Sequence, residues 1–337
     1  MNVKGWWWKL GAVALLLYVV VIGLRTPLGP ALMHVSASRI TPGENTFEVK
    51  GYNTHFTADA PQAWLENDSQ RVCANLEVIS DDRLKVKAVI PTGLRKEMTD
   101  VHVLSEGRDL VMHEALFTVA RGNGITEETC GAKTPAAASK AFVFPDRNIL
   151  NETIRNLFFH VPMWLSMMLL MTIGFVQSLI TLRSNSLAAD LMAEMAVRVS
   201  LLFAMLGLIT GSLWARVTWG AWWTSDTKLN GAAVTVLIYA AYLVLRGSVP
   251  DAHKRARLAA VYNVFAYVLM LVFIMVLPRL TDTLHPGNGG NPAFSTYDLD
   301  DRLRMVFYPA CAGWMLLAYW AFRLRLRVAR LQTSNAR

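Results

Sequence analysis

The chain has 337 residues, of which 53% are hydrophobic and only 17% charged, with a formal net charge of +8. Soluble domains carry about 25% charged residues, so this composition excludes an ordinary soluble protein. The positive charge does not point to nucleic acid either, because it is gathered in short stretches between apolar runs, which is the pattern of membrane topology.

A helix crossing a bilayer core needs roughly 20 apolar residues. Six segments meet that length: Trp6–Leu24, His160–Leu182, Ala196–Trp214, Leu229–Leu245, Leu258–Leu277 and Met305–Phe322. The first is followed by a long polar region rather than a small-residue cleavage site, and is read as an uncleaved anchor. The apolar second segment carries no charge between Val161 and Leu182. Lys and Arg set the orientation. Arg246, Lys254, Arg255 and Arg257 follow the fourth span, and Arg323, Arg325, Arg327 and Arg330 follow the sixth. With alternating spans these fall on one side, together with Lys4, Arg183 and Arg198. Both termini are therefore expected in the cytoplasm, and residues 25–159, 215–228 and 278–304 outside.

Between the first two spans the pattern changes. Leu84, Val86, Ala88 and Ile90 alternate with polar residues, as in a half-buried strand. Further short strands are expected at Phe47–Tyr52, Ala74–Ile79, Val101–Leu104 and Leu116–Ala120, separated by turn residues such as Thr41-Pro42-Gly43 and Pro91-Thr92-Gly93. This spacing points to an immunoglobulin-like β-sandwich. Residues 121–140 read as a linker back to the membrane. Cys73 and Cys130 both lie in this exported region. An oxidising compartment allows them to pair, and two unpaired buried thiols fit equally well. Cys311 lies in an apolar run and is expected to be a small core residue.

Three segments carry candidate chemistry, and the span count puts all of them at the outer face. His160 opens the second span in Phe158-Phe159-His160-Val161-Pro162, with Pro162 suited to a first helical turn. Four of the eleven tryptophans, Trp214, Trp219, Trp222 and Trp223, fall within ten residues. If this stretch is helical, Trp219, Trp222, Trp223 and Asp226 share one face. It reads either as an aromatic belt or as a platform for a planar apolar ligand. His285 lies in the loop before the last span, ahead of Pro286-Gly287. Two neutral imidazoles are a common pair of axial ligands for haem iron. Arg155, Arg216, Lys228 and Arg279 are the nearby cations suited to propionates. The other histidines, His34, His55, His102, His113 and His253, show no spacing that forms a site. No nucleophile motif or phosphate-binding glycine loop is present.

On these segments the chain resembles the CcmC (haem exporter protein C) family of tryptophan-rich haem-handling membrane proteins. The resemblance covers the first span and residues from about 145 to 325. It rests on His160-Val161-Pro162, on Thr210-Gly211-Ser212-Leu213-Trp214, on Trp219-Gly220-Ala221-Trp222-Trp223-Thr224-Ser225-Asp226, on Thr283-Leu284-His285 and on Arg155. Three features depart from the family pattern. Ser225 stands where the motif has its last tryptophan, and Lys228 stands where an arginine is common. The third departure is the inserted domain at residues 35–120.

The six apolar spans and the strand spacing between the first two together give the expected fold, an all-α six-helix transmembrane bundle carrying an inserted periplasmic β-sandwich of immunoglobulin-like type. Residues 1–24 would be the first helix, 25–140 the insert and linker, 141–325 the five-helix haem-handling domain and 326–337 a basic cytoplasmic tail. The resemblance implies haem b held at the periplasmic face of a bacterial inner membrane by His160 and His285, beside Trp214, Trp219, Trp222, Trp223, Asp226, Arg155 and Lys228. Delivery would be to a periplasmic haem chaperone, the cytochrome c maturation protein E. The remaining expected partners are the ATP-binding subunit, the membrane permease subunit and a small single-span subunit. Such a protein would be a delivery factor rather than an enzyme. Two alternatives are a lyase attaching haem directly to apocytochrome c, and a membrane anchor acting through its β domain.

Overall fold

The computed structural model describes residues 5–58, 60–68, 70–119, 142–145, 150–285 and 299–335. The chain divides into two compact units, one of Met1–Thr26 with Ile149–Arg337 and the other of Pro27–Asn148.

The first unit is helical. Its helices are α1 (Trp7–Arg25), α2 (Leu157–Ser184), α3 (Leu187–Thr218), α4 (Thr227–Ser248), α5 (Ala252–Leu271), the short α6 (Leu277–Leu280) and α7 (Asp301–Asn335). A π-helical stretch, Val272–Val276, joins α5 to α6 into one continuous rod. Six of these rods are long and apolar enough to cross a membrane. A 3-10 turn at Asn151–Asn156 leads directly into α2. The helix therefore starts at Leu157 rather than His160, and Pro162 sits inside it. α3 is longer than its apolar core, because Ser186 caps its start through the Ala189 amide.

The core of this unit gathers small and flexible residues from several helices. Met163, Met167 and Met171 of α2 pack with Ala196 and Phe203 of α3 and Met270 of α5. Small residues let helix axes approach where lipid supplies no hydrophobic drive. Gly207 and Gly211 of α3 are the clearest case. A Cβ at Gly207 would lie 2.8 Å from the Trp164 indole, and one at Gly211 would lie 2.6 Å from the His160 ring. One turn of α3 is thus cut away to admit two α2 side chains that are themselves one turn apart.

Two polar clasps close the unit. At the start of α3 and the end of α4, Arg246 forms a fork with Asp190 at 2.6 and 2.8 Å and reaches Glu194 at 2.8 Å. Arg246 and Asp190 are both buried. At the other end, Arg155 donates to the Gly23 and Thr26 carbonyls at 2.7 Å each and pairs with Glu152. It thereby holds the end of α1 against the turn that opens α2.

The second unit corrects the β-sandwich expected from strand spacing. Its eight strands form one sheet, ordered β1-β3-β6-β5-β4-β7-β8-β2, which curls into a half-barrel. With this sheet in addition to the six apolar rods, the chain is not the all-α bundle with a β-sandwich that the sequence led us to expect. The strands are β1 (Ala31–Val35), β2 (Arg39–Ile40), β3 (Gly43–Tyr52), β4 (Gln62–Asn67), β5 (Gln70–Ser80), β6 (Arg83–Ile90), β7 (Met98–Ser105) and β8 (Arg108–Thr118). The two edge strands, β1 and β2, are consecutive in the chain, with only Ser36, Ala37 and Ser38 between them. The four Cα-to-Cα steps from Val35 to Arg39 span at most about 14 Å, so the two margins must come close together. Consistent with this, the Ser36 amide donates to Glu48 of β3, whereas the Ser38 carbonyl accepts from Phe117 of β8. The inner face collects Phe47, Val49, Leu84, Val86, Val101 and Leu116 into one core. Alternation in β6 follows the sequence pattern, with Leu84, Val86, Ala88 and Ile90 buried.

The chain enters and leaves this unit side by side. Leu28 and Phe144 form a parallel bridge, with Gly29 N–H to Phe144 at 2.7 Å and Phe144 N–H to Pro27 at 2.9 Å. Cys73 on β5 is disulfide-bonded, and Cys311 is a buried free thiol. Cys130 and the 121–140 linker lie outside the described residues.

Replacing Arg246 by Leu strips the counter-charge from Asp190 and Glu194. Breaking a buried pair in this way costs about 3–5 kcal/mol. Thermal unfolding of the detergent-solubilised variant should show that loss. A melting point equal to wild type would show that the clasp adds nothing.

Candidate functional site

The site lies where α2 begins, α3 ends, α4 begins and the α5–α6 rod gives way to a loop. Its elements meet there for local reasons. α3 stops at Thr218 because Gly220 takes a φ of +76°, which a glycine adopts without strain. Arg216 reaches back to the Gly220 carbonyl and closes the turn. The segment Trp219–Asp226 is consequently a loop, which corrects the helical face on which Trp219, Trp222, Trp223 and Asp226 were expected to align. α4 restarts at Thr227 because the Asp226 carboxylate caps it, accepting from the Lys228 and Leu229 amides at 2.9 and 3.2 Å.

His160 and His285 come from separate elements yet lie within electrostatic reach of each other, with Lys228 close to both. Each ring has one nitrogen already committed. His160 Nδ1 lies 3.1 Å from Thr210 Oγ1, whose own hydrogen goes to the Leu206 carbonyl at 2.8 Å. The hydroxyl must therefore accept from the ring. His285 Nδ1 lies 3.1 Å from Asp226 Oδ1. An Nδ1–H held in this way leaves Nε2 with a free lone pair on each ring.

The electrostatics agree with that assignment. Burial pushes the His285 imidazole down to about 4, and the Lys228 ammonium pushes the same way, against the pull of Asp226. At neutral pH it is uncharged. Burial alone would raise the Asp226 carboxyl. Hydrogen bonds from the Thr283 hydroxyl and from the Leu284 and Leu229 amides more than offset this and hold it below its usual range.

Indole rings stand edge-on to both imidazoles. Trp214 and Trp164 lie 5.9 and 6.3 Å from the His160 ring, and Trp219 lies 5.1 Å from the His285 ring. Trp214 is fixed by its N–H to Thr153 Oγ1 at 3.1 Å. Trp222 and Trp223 remain exposed at 56% and 42%, with Trp223 held by Asn230 at 3.1 Å. Of the cations considered for an anionic ligand, Arg155 spends its guanidinium on α1 and Glu152, and Arg216 on Gly220. Lys228 stays beside the imidazoles.

Several contributors were not visible as chemistry in the sequence. Thr210 and Gly211 appear there only as part of a motif, but they hold and seat His160. Thr210 is itself anchored by Asn156, which donates to its carbonyl at 2.9 Å. Trp164, four residues after His160, lies on the same helical face, a spacing that would have revealed it. Thr283 donates to Asp226 Oδ2 at 2.6 Å and ties the His285 loop to α4.

A family model described as Heme exporter protein C matches residues 130–337. Heme exporter protein C of Bradyrhizobium diazoefficiens is 36% identical over 118 residues, 35% of this chain and 44% of that protein. Heme exporter protein C of Paracoccus denitrificans is 27% identical over 190 residues, 55% of this chain and 77% of the relative. Cytochrome c biogenesis protein CcsA of Prochlorococcus marinus subsp. pastoris is 34% identical over 94 residues, 28% of this chain and 30% of that protein. The chain thus spans less than half the length of the first of these relatives and most of the second. The matched stretch holds α2 through α7 with both histidines and the tryptophan loop, and the chain belongs to the haem exporter protein C family.

Proposed function

We propose that this multi-pass membrane protein handles haem for cytochrome c biogenesis, binding it between His160 and His285 at the outer end of its helical unit. The observation that carries the reading is the pair of neutral-type imidazoles. They come from distant parts of the chain, each has its Nδ1 occupied, and they are set within reach of each other.

The donor set fits haem rather than a bare ion. No group of three or more His, Cys, Asp or Glu suited to a metal occurs among the described residues. A structural zinc needs four protein ligands, whereas haem iron brings four pyrrole nitrogens and asks the protein for two. Trp214 and Trp219 present apolar surface beside the two rings, and the exposed Trp222 and Trp223 extend it outward. Lys228 offers a positive charge for a propionate, as a point charge without a bidentate fork.

In this reading the cargo is haem b, and the face is periplasmic, with both termini in the cytoplasm of a bacterial inner membrane. Delivery goes to the periplasmic haem chaperone of cytochrome c maturation, the cytochrome c maturation protein E. The ATP-binding, membrane permease and small single-span subunits are the partners of such a system. The protein acts as a delivery factor and not as a catalyst of bond change. The similarity to CcsA keeps a second reading in view, direct attachment of haem to apocytochrome c. Covalent haem transfer in the absence of any chaperone would favour it.

Detergent-purified protein should show the absorption spectrum of a low-spin bis-imidazole haem. His160→Ala and His285→Ala should each abolish that spectrum. Normal haem content in both variants would refute the axial-ligand assignment. Gly211→Ala tests the seat of His160 separately. The new methyl would force the ring away, so haem binding should fall by at least about tenfold while the variant still inserts and folds. Unchanged affinity in a titration with haemin would show that the ring has room to spare.

A further inference from the structure

The two imidazoles are held in different ways. His160 stands inside α2, its ring fitted against Gly211 and bonded to Thr210, both on α3. Two long helices fix it from either side. His285 stands on the non-helical segment that follows α6. Among the described residues, one carboxylate gathers three consecutive residues of that segment. Asp226 Oδ2 receives the Thr283 hydroxyl at 2.6 Å and the Leu284 amide at 2.8 Å. Asp226 Oδ1 receives His285 Nδ1 at 3.1 Å, beside the Lys228 and Leu229 amides that it caps. The side chain is 1% exposed. Five donors occupy its lone pairs, which leaves it no open face for a bound molecule.

We propose that Asp226 is a positioning residue rather than a haem contact, and that it makes His285 the exchangeable axial ligand while His160 is the fixed one. The proposal rests on the haem-binding reading above. An ionised acceptor on Nδ1–H fixes the tautomer and raises the donor strength of Nε2. Without the carboxylate the ring loses both its aim and part of its basicity. Passing haem to another protein requires one axial position to open first. Among the described residues, the bonds that hold the His285 ring come from a loop, whereas the His160 ring is held between two long helices, α2 and α3. The group that holds His285 also starts α4, so the loop and the helix are set by the same atoms.

The test uses full-length detergent-purified protein carrying Asp226→Ser, with Thr210→Val as the counterpart on the His160 side. Serine is a good helix N-cap, so α4 still starts, but its hydroxyl is too short to reach His285. With haemin bound, Asp226→Ser should shift the spectrum from six-coordinate low-spin toward five-coordinate high-spin. Haem dissociation should quicken about tenfold to a hundredfold, the usual cost of removing such a partner. Added free imidazole should restore the low-spin spectrum of the haem that still co-elutes with the protein on gel filtration, whereas haemin released by a misfolded protein would not co-elute. Thr210→Val should lose less of the low-spin signal than Asp226→Ser, because α2 and Gly211 still seat the His160 ring. Nitrogen-15 NMR of the haem-free protein supplies a second readout: the single Nδ1–H tautomer of His285 should give way to a mixture in Asp226→Ser. A variant that keeps both the low-spin spectrum and the wild-type dissociation rate overturns the proposal, as does Thr210→Val losing its ligand first. Wild-type protein that takes up no haem refutes the haem reading instead, and the tautomer measurement then decides the positioning role of Asp226 alone.

Discussion

The carboxylate of Asp226 is the interaction on which the histidine-bearing end of the helical unit depends. It ends one loop, begins α4 and grips three consecutive residues of another loop, Thr283 to His285. A buried ionised group is costly unless all its acceptor positions are satisfied, and here five donors satisfy it. The same cost makes the arrangement specific. Any other placement of the His285 loop would strand a charge at the membrane boundary, so the ring is brought to its position by the penalty for being elsewhere.

The opposite end of the bundle uses the same physics with the signs exchanged. Arg246 is a buried cation between Asp190 and Glu194, and it ties the start of α3 to the end of α4. α4 is therefore pinned at both ends by one charge at each, to α3 through Arg246 and to the His285 loop through Asp226. Between the pins the packing is apolar and adaptable, rich in Met and Ala. Long flexible thioethers fill irregular gaps at little cost in shape. The rigidity that orients the imidazoles thus comes from the polar ends and from the Gly207–Gly211 notch, not from a tight middle.

Much of this was legible in the sequence because it is local. Hydropathy over a span, the basic stretches between spans and the alternation of Leu84, Val86, Ala88 and Ile90 are properties of neighbouring residues. What was not legible is non-local. A half-buried strand presents one apolar face whether it belongs to a sandwich or to a single curled sheet, so alternation could not choose between them. The choice is made by pairing, and β2 has only two residues with which to declare it. β4 shows no clean alternation, having three successive buried residues, Ala63 to Leu65. The tryptophan loop misled for a different reason. Spacings of three and four suit a helix, but the positive φ of Gly220 ends it before Trp222. Both histidines were visible, whereas the partners of their second nitrogens, Thr210 and Asp226, stand 50 and 59 residues away.

The inserted β unit is bounded by two doubled strands of chain. Within it, the entering residues Pro27 to Gly29 lie hydrogen-bonded along the departing Phe144. Within the helical unit, Arg155 gathers the Gly23 and Thr26 carbonyls to the turn that precedes α2. Start and stop of the excursion are therefore neighbours on both accounts, and the helices are complete without it. A few residues in place of Pro27–Asn148 would leave the six rods in register. Removal of the excursion would therefore ask nothing of the histidine pair but a different closure of the chain at that one place.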